Sequence, residues 1–211
     1  MTIRRRIRAD ALDATVLYEA VDTLRHGGIV AYPTDTFYGL AVIPTDGRGL
    51  ERLFDAKGRE ARAAIPLVAA SLEQADEFVG ELTPLARRLA DAFWPGPLTL
   101  VIAARRGLDP RLLAGGETVA VRVPAHGVAI ALAQAAASPI TSTSANRSGQ
   151  PPAQTADEVE ASLGETIDLI LDGGACAGGA PSTIVEVTGD SPRLVREGAI
   201  AWSRVVQSLA G

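Results

Sequence analysis

The apolar positions change their period several times along the chain, and each change marks an element. Val16, Leu17, Ala20, Val21 and Leu24 recur three and four residues apart. That spacing predicts a helix from Asp13 to His26, capped by Asp13 and stopped by Gly27-Gly28. Ile29 to Tyr32 then reads as a short buried strand running into the turn-like Pro33-Thr34-Asp35-Thr36. Asp46 can cap a second helix that carries Leu50, Leu53, Phe54 and Ala56 and ends near Lys57-Gly58. Further on, the pattern predicts a strand at 66–69, a helix at 72–79, and a helix opened by Thr83-Pro84 and halted by Pro95-Gly96-Pro97. Strands follow at 98–103, 118–123 and 139–143, with a Gly- and Arg-rich loop at 105–116, a helix at 125–136 and a polar loop at 144–154. A helix at 156–163, strands at 167–171, 183–187 and 194–196, and a short helix in 200–211 complete the reading. Strands and helices interleave without strict alternation. That order predicts a mixed α/β sheet with helices packed on it rather than a regular doubly wound fold. No repeat or low-complexity linker divides residues 1–211, so a single domain is expected.

Composition narrows the function. The chain has 211 residues, 47% of them hydrophobic, and a formal net charge of −5. A surface that coats nucleic-acid phosphate along its length does not fit that balance. The single cysteine, Cys176, excludes an intrachain disulfide and a thiolate metal cluster. The two histidines, His26 and His126, are far apart and read as helix-end residues. No apolar run long enough for a signal peptide follows the basic start, and none reaches the roughly 18 residues of a membrane span. A cytoplasmic protein without a structural metal or a membrane partner is the expectation. The phosphate-loop, dinucleotide, metalloprotease and nucleophile-elbow motifs are absent.

Four polar clusters stand at strand or helix ends, where open sheets build sites. The segment from Pro33 to Leu40 offers hydroxyls that could grip a small polar substrate, and equally reads as a capped turn. Lys57-Gly58-Arg59 could clamp polyphosphate, or simply place cations at a helix C-terminus. The run from Ser142 to Gly149 crowds hydroxyl, amide and guanidinium groups into eight residues, and reads as an anion loop or a solvated one. The fourth cluster joins 120–124, 181–185 and 193–198. Within it, Arg122 lies in an apolar strand, where a charge must be paired or must face a cleft.

Taken together and in order, these segments resemble the YrdC family of threonylcarbamoyl-AMP synthases. The matching pieces are GGIVAYPTDTFYGL from Gly27, KGR from Lys57, WPGPLTL from Trp94, VAVRVP from Val119, STSANRSG from Ser142, PSTIV from Pro181 and REG from Arg196. They span roughly residues 13 to 200. The resemblance implies a twisted, concave α/β sheet with a basic cavity. It implies that L-threonine, bicarbonate and ATP, with Mg2+, yield threonylcarbamoyl-AMP and pyrophosphate, the first step of a tRNA threonylcarbamoyladenosine modification. It places the family's Lys-Arg-Ser-Asn catalytic set on Lys57, Arg59, Ser144 and Asn146. Further ATP contacts would fall on Thr118, Pro152 and Arg196, and threonine contacts on Thr34, Arg122, Ser142 and Ser182. Downstream threonylcarbamoyl-transferase proteins would be partners. The chain departs from the family's pattern after the K-x-R segment: Ile65 stands in place of an Asn, and Ala70 near an expected His.

Two other readings compete. A related carbamoyl-transfer module of hydrogenase maturation would share the fold, but normally comes with zinc-finger-like cysteines, against the single Cys176. A non-catalytic binder of double-stranded RNA or ribosomes, or weak RNA binding beside the enzyme role, would need a basic concave face.

Overall fold

The computed structural model describes residues 2–58 and 64–210. In chain order the elements are β1 (Ile3–Arg6), α1 (Ala14–Arg25), β2 (Val30–Tyr32), β3 (Gly39–Ala41), α2 (Gly47–Lys57), β4 (Leu67–Val68), α3 (Leu72–Val79), α4 (Pro84–Phe93) and β5 (Leu98–Ala103). They continue with β6 (Thr118–Arg122), α5 (Gly127–Ala135), β7 (Ile140–Thr141), β8 (Thr143–Ser144), α6 (Ala156–Leu163), β9 (Leu169–Asp172), β10 (Thr183–Glu186), β11 (Arg193–Arg196) and α7 (Trp202–Gln207). The caps act as the sequence predicts. The Asp13 carboxylate accepts from Thr15 N and Val16 N, and Thr83 accepts from Ala86 N. Thr155 and Glu158 close a capping box on α6.

The mixed α/β class holds, but the strands divide between two mixed sheets instead of lying in one. One sheet has the order β1-β9-β2-β3-β8, the other β11-β10-β5-β6-β4-β7. The main core joins them: Ala31, Leu40 and Ile170 of the first sheet share one buried cluster with Leu100, Val121 and Val185 of the second. A second cluster lies between α1 and α5, where Ala20, Val21 and Leu24 meet Val128, Ala129 and Leu132. Each fully buried Leu or Val contributes about 1.5–3 kcal/mol. No helix among the described residues is long and apolar enough to cross a membrane.

Two strands escape the sequence pattern. Strand β1 is Ile-Arg-Arg-Arg and exposed throughout. It forms because it pairs in parallel with β9 and because Arg4 meets Asp157 and Asp172 while Arg5 meets Glu19. None of those partners is a sequence neighbour. Strand β3 lies in the stretch read as a turn: the chain leaves β2, loops through 33–38 and returns antiparallel, Tyr32 opposite Gly39 and Val30 opposite Ala41.

The strand expected at 139–143 is split at Ser142, and that split matters most for the site. Ile140 and Thr141 pair with Val68 and Leu67 in the second sheet. Thr143 and Ser144 pair with Leu40 and Gly39 in the first. Ser142 N donates to Pro66 O at 2.7 Å between the two pairings. The backbone therefore changes sheet at one residue, and Ser142 sits at the seam.

Candidate functional site

A cavity of about 620 Å³ opens along this seam. From the first sheet and its loops come Thr34, Thr36, Phe37, Tyr38, Gly39 and Ser144, and from the second come Leu67, Thr99, Arg122, Ile184 and Arg196. Ser142, Pro151, Pro152, Gln154, Pro181 and Ser182 fill the rim between them. Gly39 is tightly enclosed: a Cβ there would stand 3.2 Å from the Tyr32 ring and 3.3 Å from Ser142 Oγ.

Strand register explains why residues distant in sequence share this wall. Ile184 lies opposite both Arg196 and Thr99. Leu100 lies opposite Val121, so the next antiparallel step sets Thr99 beside Arg122. Residues in register across a sheet share a face. Arg196, Ile184, Thr99 and Arg122 thus form one row across β11, β10, β5 and β6, with about 14 Å between the outer backbones at strand spacing. A register shift after Ile184 breaks the β10–β11 ladder beside Arg196, the kind of irregularity that re-aims a side chain. The described lining carries two guanidinium groups and no carboxylate.

The cations are held differently. Arg122 is buried, and its Nη2 lies 3.2 Å from Asp35 Oδ1, with side-chain exposures of 7% and 13%. Arg196 is exposed and donates to Ser182 O at 2.8 Å, while Ser182 Oγ accepts from Thr99 Oγ1 at 2.9 Å. Burial, and then the Arg122 charge, hold the Arg196 guanidinium below its usual range. Lys57 is not part of the lining: it is buried at the end of α2, where its Nζ donates to Ser144 O at 2.5 Å. Ser148 N donates to Lys57 O at 3.1 Å, so Lys57 grips the first half of the polar loop at two points. Gly58 closes α2 with φ 59°, a left-handed conformation that favours glycine.

The remaining expected residues are placed as follows. Thr34 lines the cavity, and its hydroxyl also holds the turn by donating to Phe37 O at 2.7 Å. Ser142, Ser144, Pro152 and Ser182 line the cavity. Asn146 lies behind the lining, its amide nitrogen donating to Arg147 O and Gln150 O and its Oδ1 buried without a partner. Thr118 is at the other end of β6 from Arg122 and is not part of the lining. Arg59 lies outside the described residues. Ala70, at the position where the family pattern expects a His, lines a separate hollow of about 330 Å³ with Ala90, Trp94 and Val123. Thr99 was passed over in the sequence as a core strand residue; its one signal is a hydroxyl interrupting Leu98-Leu100-Val101-Ile102.

His26 caps the end of α1 and His126 precedes α5, so both stand at helix ends as expected. His126 is half-buried, its Nδ1 has no partner, and burial holds its pKa below the ordinary value, partly offset by the Asp35 charge. Unfolded, the imidazole titrates near about 6.5. Protonation therefore favours the unfolded chain. The stabilising contribution is complete above the unfolded pKa and is lost as pH falls through the lower folded one. Urea midpoints should drop less between pH 8 and pH 5 in His126→Asn than in the parent; equal drops would remove this assignment. Burial likewise pushes the Cys176 thiol up to about 11, so it is no thiolate nucleophile at neutral pH.

A mixed α/β fold with a cavity at a sheet seam, lined by two arginines and many hydroxyls, has the polarity that suits small anionic ligands. The Sua5/YciO/YrdC family profile, described as telomere recombination, matches residues 22–198, and the chain belongs to that family. It is 39% identical over 187 residues to a threonylcarbamoyl-AMP synthase of Pyrococcus abyssi, covering 88% of this chain but 55% of that protein. It is 40% identical over 164 residues to a threonylcarbamoyl-AMP synthase of Thiobacillus denitrificans, covering 78% of this chain and 87% of that one. The crystal structure of P. abyssi Sua5 complexed with L-threonine superposes with a TM-score of 0.91 at 35% identity, over 99% of this chain and 61% of that chain. The chain thus spans little more than half the length of the archaeal relative.

Proposed function

We propose that this protein is a threonylcarbamoyl-AMP synthase, a nucleotidyltransferase that makes threonylcarbamoyl-AMP and pyrophosphate from L-threonine, bicarbonate and ATP. The observation that carries this reading is the cavity lining: Arg122 and Arg196 on one cross-strand row, seven serine and threonine side chains around them, and no carboxylate among the described lining residues. The threonylcarbamoyl-AMP synthase names of the relatives and the threonine bound to P. abyssi Sua5 support it.

The chemistry joins two anions. Threonine's free amine attacks the bicarbonate carbon, giving a carbamate and releasing water. A carbamate oxygen then attacks the α-phosphorus of ATP, and the bond to pyrophosphate breaks. Charge repulsion is the first barrier, and fixed cations lower it without reorganising during the reaction. Arg196, Lys57 and Arg59 would neutralise the triphosphate, and Ser144 and Asn146 would orient it. Arg122 would take threonine's carboxylate, while Thr34, Ser142 and Ser182 would line its amine and side chain. Holding both partners in one cavity supplies orientation with no covalent enzyme intermediate. Among the described residues no three His, Cys, Asp or Glu side chains converge. Magnesium fits this lining only as the nucleotide's own counter-ion, part of the substrate. The product is a reactive mixed anhydride, which threonylcarbamoyl-transferase proteins would take up for tRNA modification.

The test is pyrophosphate release from ATP and bicarbonate with one amino acid supplied at a time. Threonine should drive release, and serine, lacking one methyl, should be about 10–200-fold poorer in kcat/KM. Release that does not depend on the amino acid would sink the reading.

A further inference from the structure

Two arginines share one cavity, yet among the described residues only Arg122 faces a carboxylate. Arg122 pairs with Asp35. Among the described residues, Arg196 meets neutral oxygens, Ser182 O at 2.8 Å and Ser182 Oγ at 3.5 Å. Asp35 is not itself in the cavity lining; it stands behind Arg122, on the turn between β2 and β3. The pair is incompletely satisfied. Both Asp35 oxygens and Arg122 Nη1 are buried and lack a hydrogen-bond partner. His126 adds a buried, unpartnered Nδ1 close enough for the Asp35 charge to act on it. Asp35 and Arg122 thus bring unspent polar groups together, and buried groups left so in a folded protein ask for a functional reason.

The reason lies in charge. A lone buried guanidinium would attract whichever anion is most highly charged, and ATP carries a triphosphate. Asp35 cancels the charge of Arg122 at a distance while leaving Nη1 to be completed. A polyphosphate approaching Arg122 meets a net neutral pair with a carboxylate behind it. Like-charge juxtaposition of that kind is how sites reject wrong partners. A zwitterionic amino acid brings no net charge, so it loses nothing there. Arg196 has no such counter-charge among the described residues and keeps its full pull on phosphate.

We propose that Asp35 is a specificity-determining residue that sorts the two ligands of this cavity, reserving Arg122 for a zwitterionic α-amino acid and leaving the polyanion to the Arg196 side. The proposal rests on the threonine and ATP reading given above, and its test separates the two. Inorganic tripolyphosphate is titrated calorimetrically into the protein, with and without saturating L-threonine, and the same is done with Asp35→Asn, which removes the charge at constant shape. The parent should take one equivalent of tripolyphosphate and keep its threonine affinity. The variant should take a second equivalent, and tripolyphosphate should weaken its threonine binding about tenfold or more. A purely structural role for Asp35 would not create that competition. Competition between the two ligands in the parent overturns the sorting, and so does an Asp35→Asn protein that behaves as the parent does. Should the variant fail to fold, the parent decides alone: no displacement supports the sorting and displacement overturns it. If the parent binds no threonine but the variant gains the second tripolyphosphate, the sorting stands and the threonine reading falls.

Discussion

Arg122→Leu should lose about 3–5 kcal/mol of stability, because the substitution strands Asp35 as an uncompensated buried charge. The two side chains are 7% and 13% exposed, so water cannot replace the lost partner. The pair itself has modest geometry: one contact at 3.2 Å and three polar atoms without hydrogen bonds. Removing both charges together should therefore cost far less than removing one. Urea denaturation of Arg122→Leu, Asp35→Asn and the double variant measures this directly. The double variant should recover most of the stability, yet remain inactive with threonine. A single variant within about 0.5 kcal/mol of the parent, the range of ordinary surface changes, would show that the two groups are not energetically coupled.

The second large effect is on turnover. Lys57→Ala should lower threonine-dependent pyrophosphate release by about 10²–10³, the usual loss when one preorganised charged donor is removed from a site of developing negative charge. Lys57 also donates to Ser144 O and its backbone carries Ser148, so the loop across the cavity is exposed to the same change. Circular dichroism and a melting curve separate the two contributions. A folded variant with the parent's kcat/KM would remove Lys57 from the phosphate clamp. The same loss in Lys57→Arg, which keeps the charge but changes its shape, would show that the compact ammonium is required.

Much of the architecture follows from local rules. Helix limits were readable because caps and stops are written in neighbouring residues: Asp13 before α1, Thr83-Pro84 at the start of α4, Gly58 after α2. The strand β5 was readable because Leu98 to Ala103 is an apolar run, broken only by Thr99, between turn signals. Strand β1 was not, since three of its four residues are arginines whose acidic partners lie elsewhere in the chain. The chemistry-bearing segments stood out by composition, and their order carried the family resemblance. Thr99 in the cavity lining and Asp35 as the partner of Arg122 did not stand out, one hidden in a core strand and the other in a turn where Asp is commonplace.

By itself, the sequence determined the mixed α/β class, most element limits, the family, and several of the segments that line the cavity. Tertiary structure alone decided that the strands form two sheets, that the chain passes between them at Ser142, and that Arg196, Thr99 and Arg122 fall on one row. It also decided that Arg122 meets Asp35 while Arg196 does not. The physical reason is range. Caps, turns and periodicity act over a few residues and leave a local mark, whereas strand register and buried charge pairing join groups far apart in the chain, and nothing in either neighbourhood records which partner the other will be.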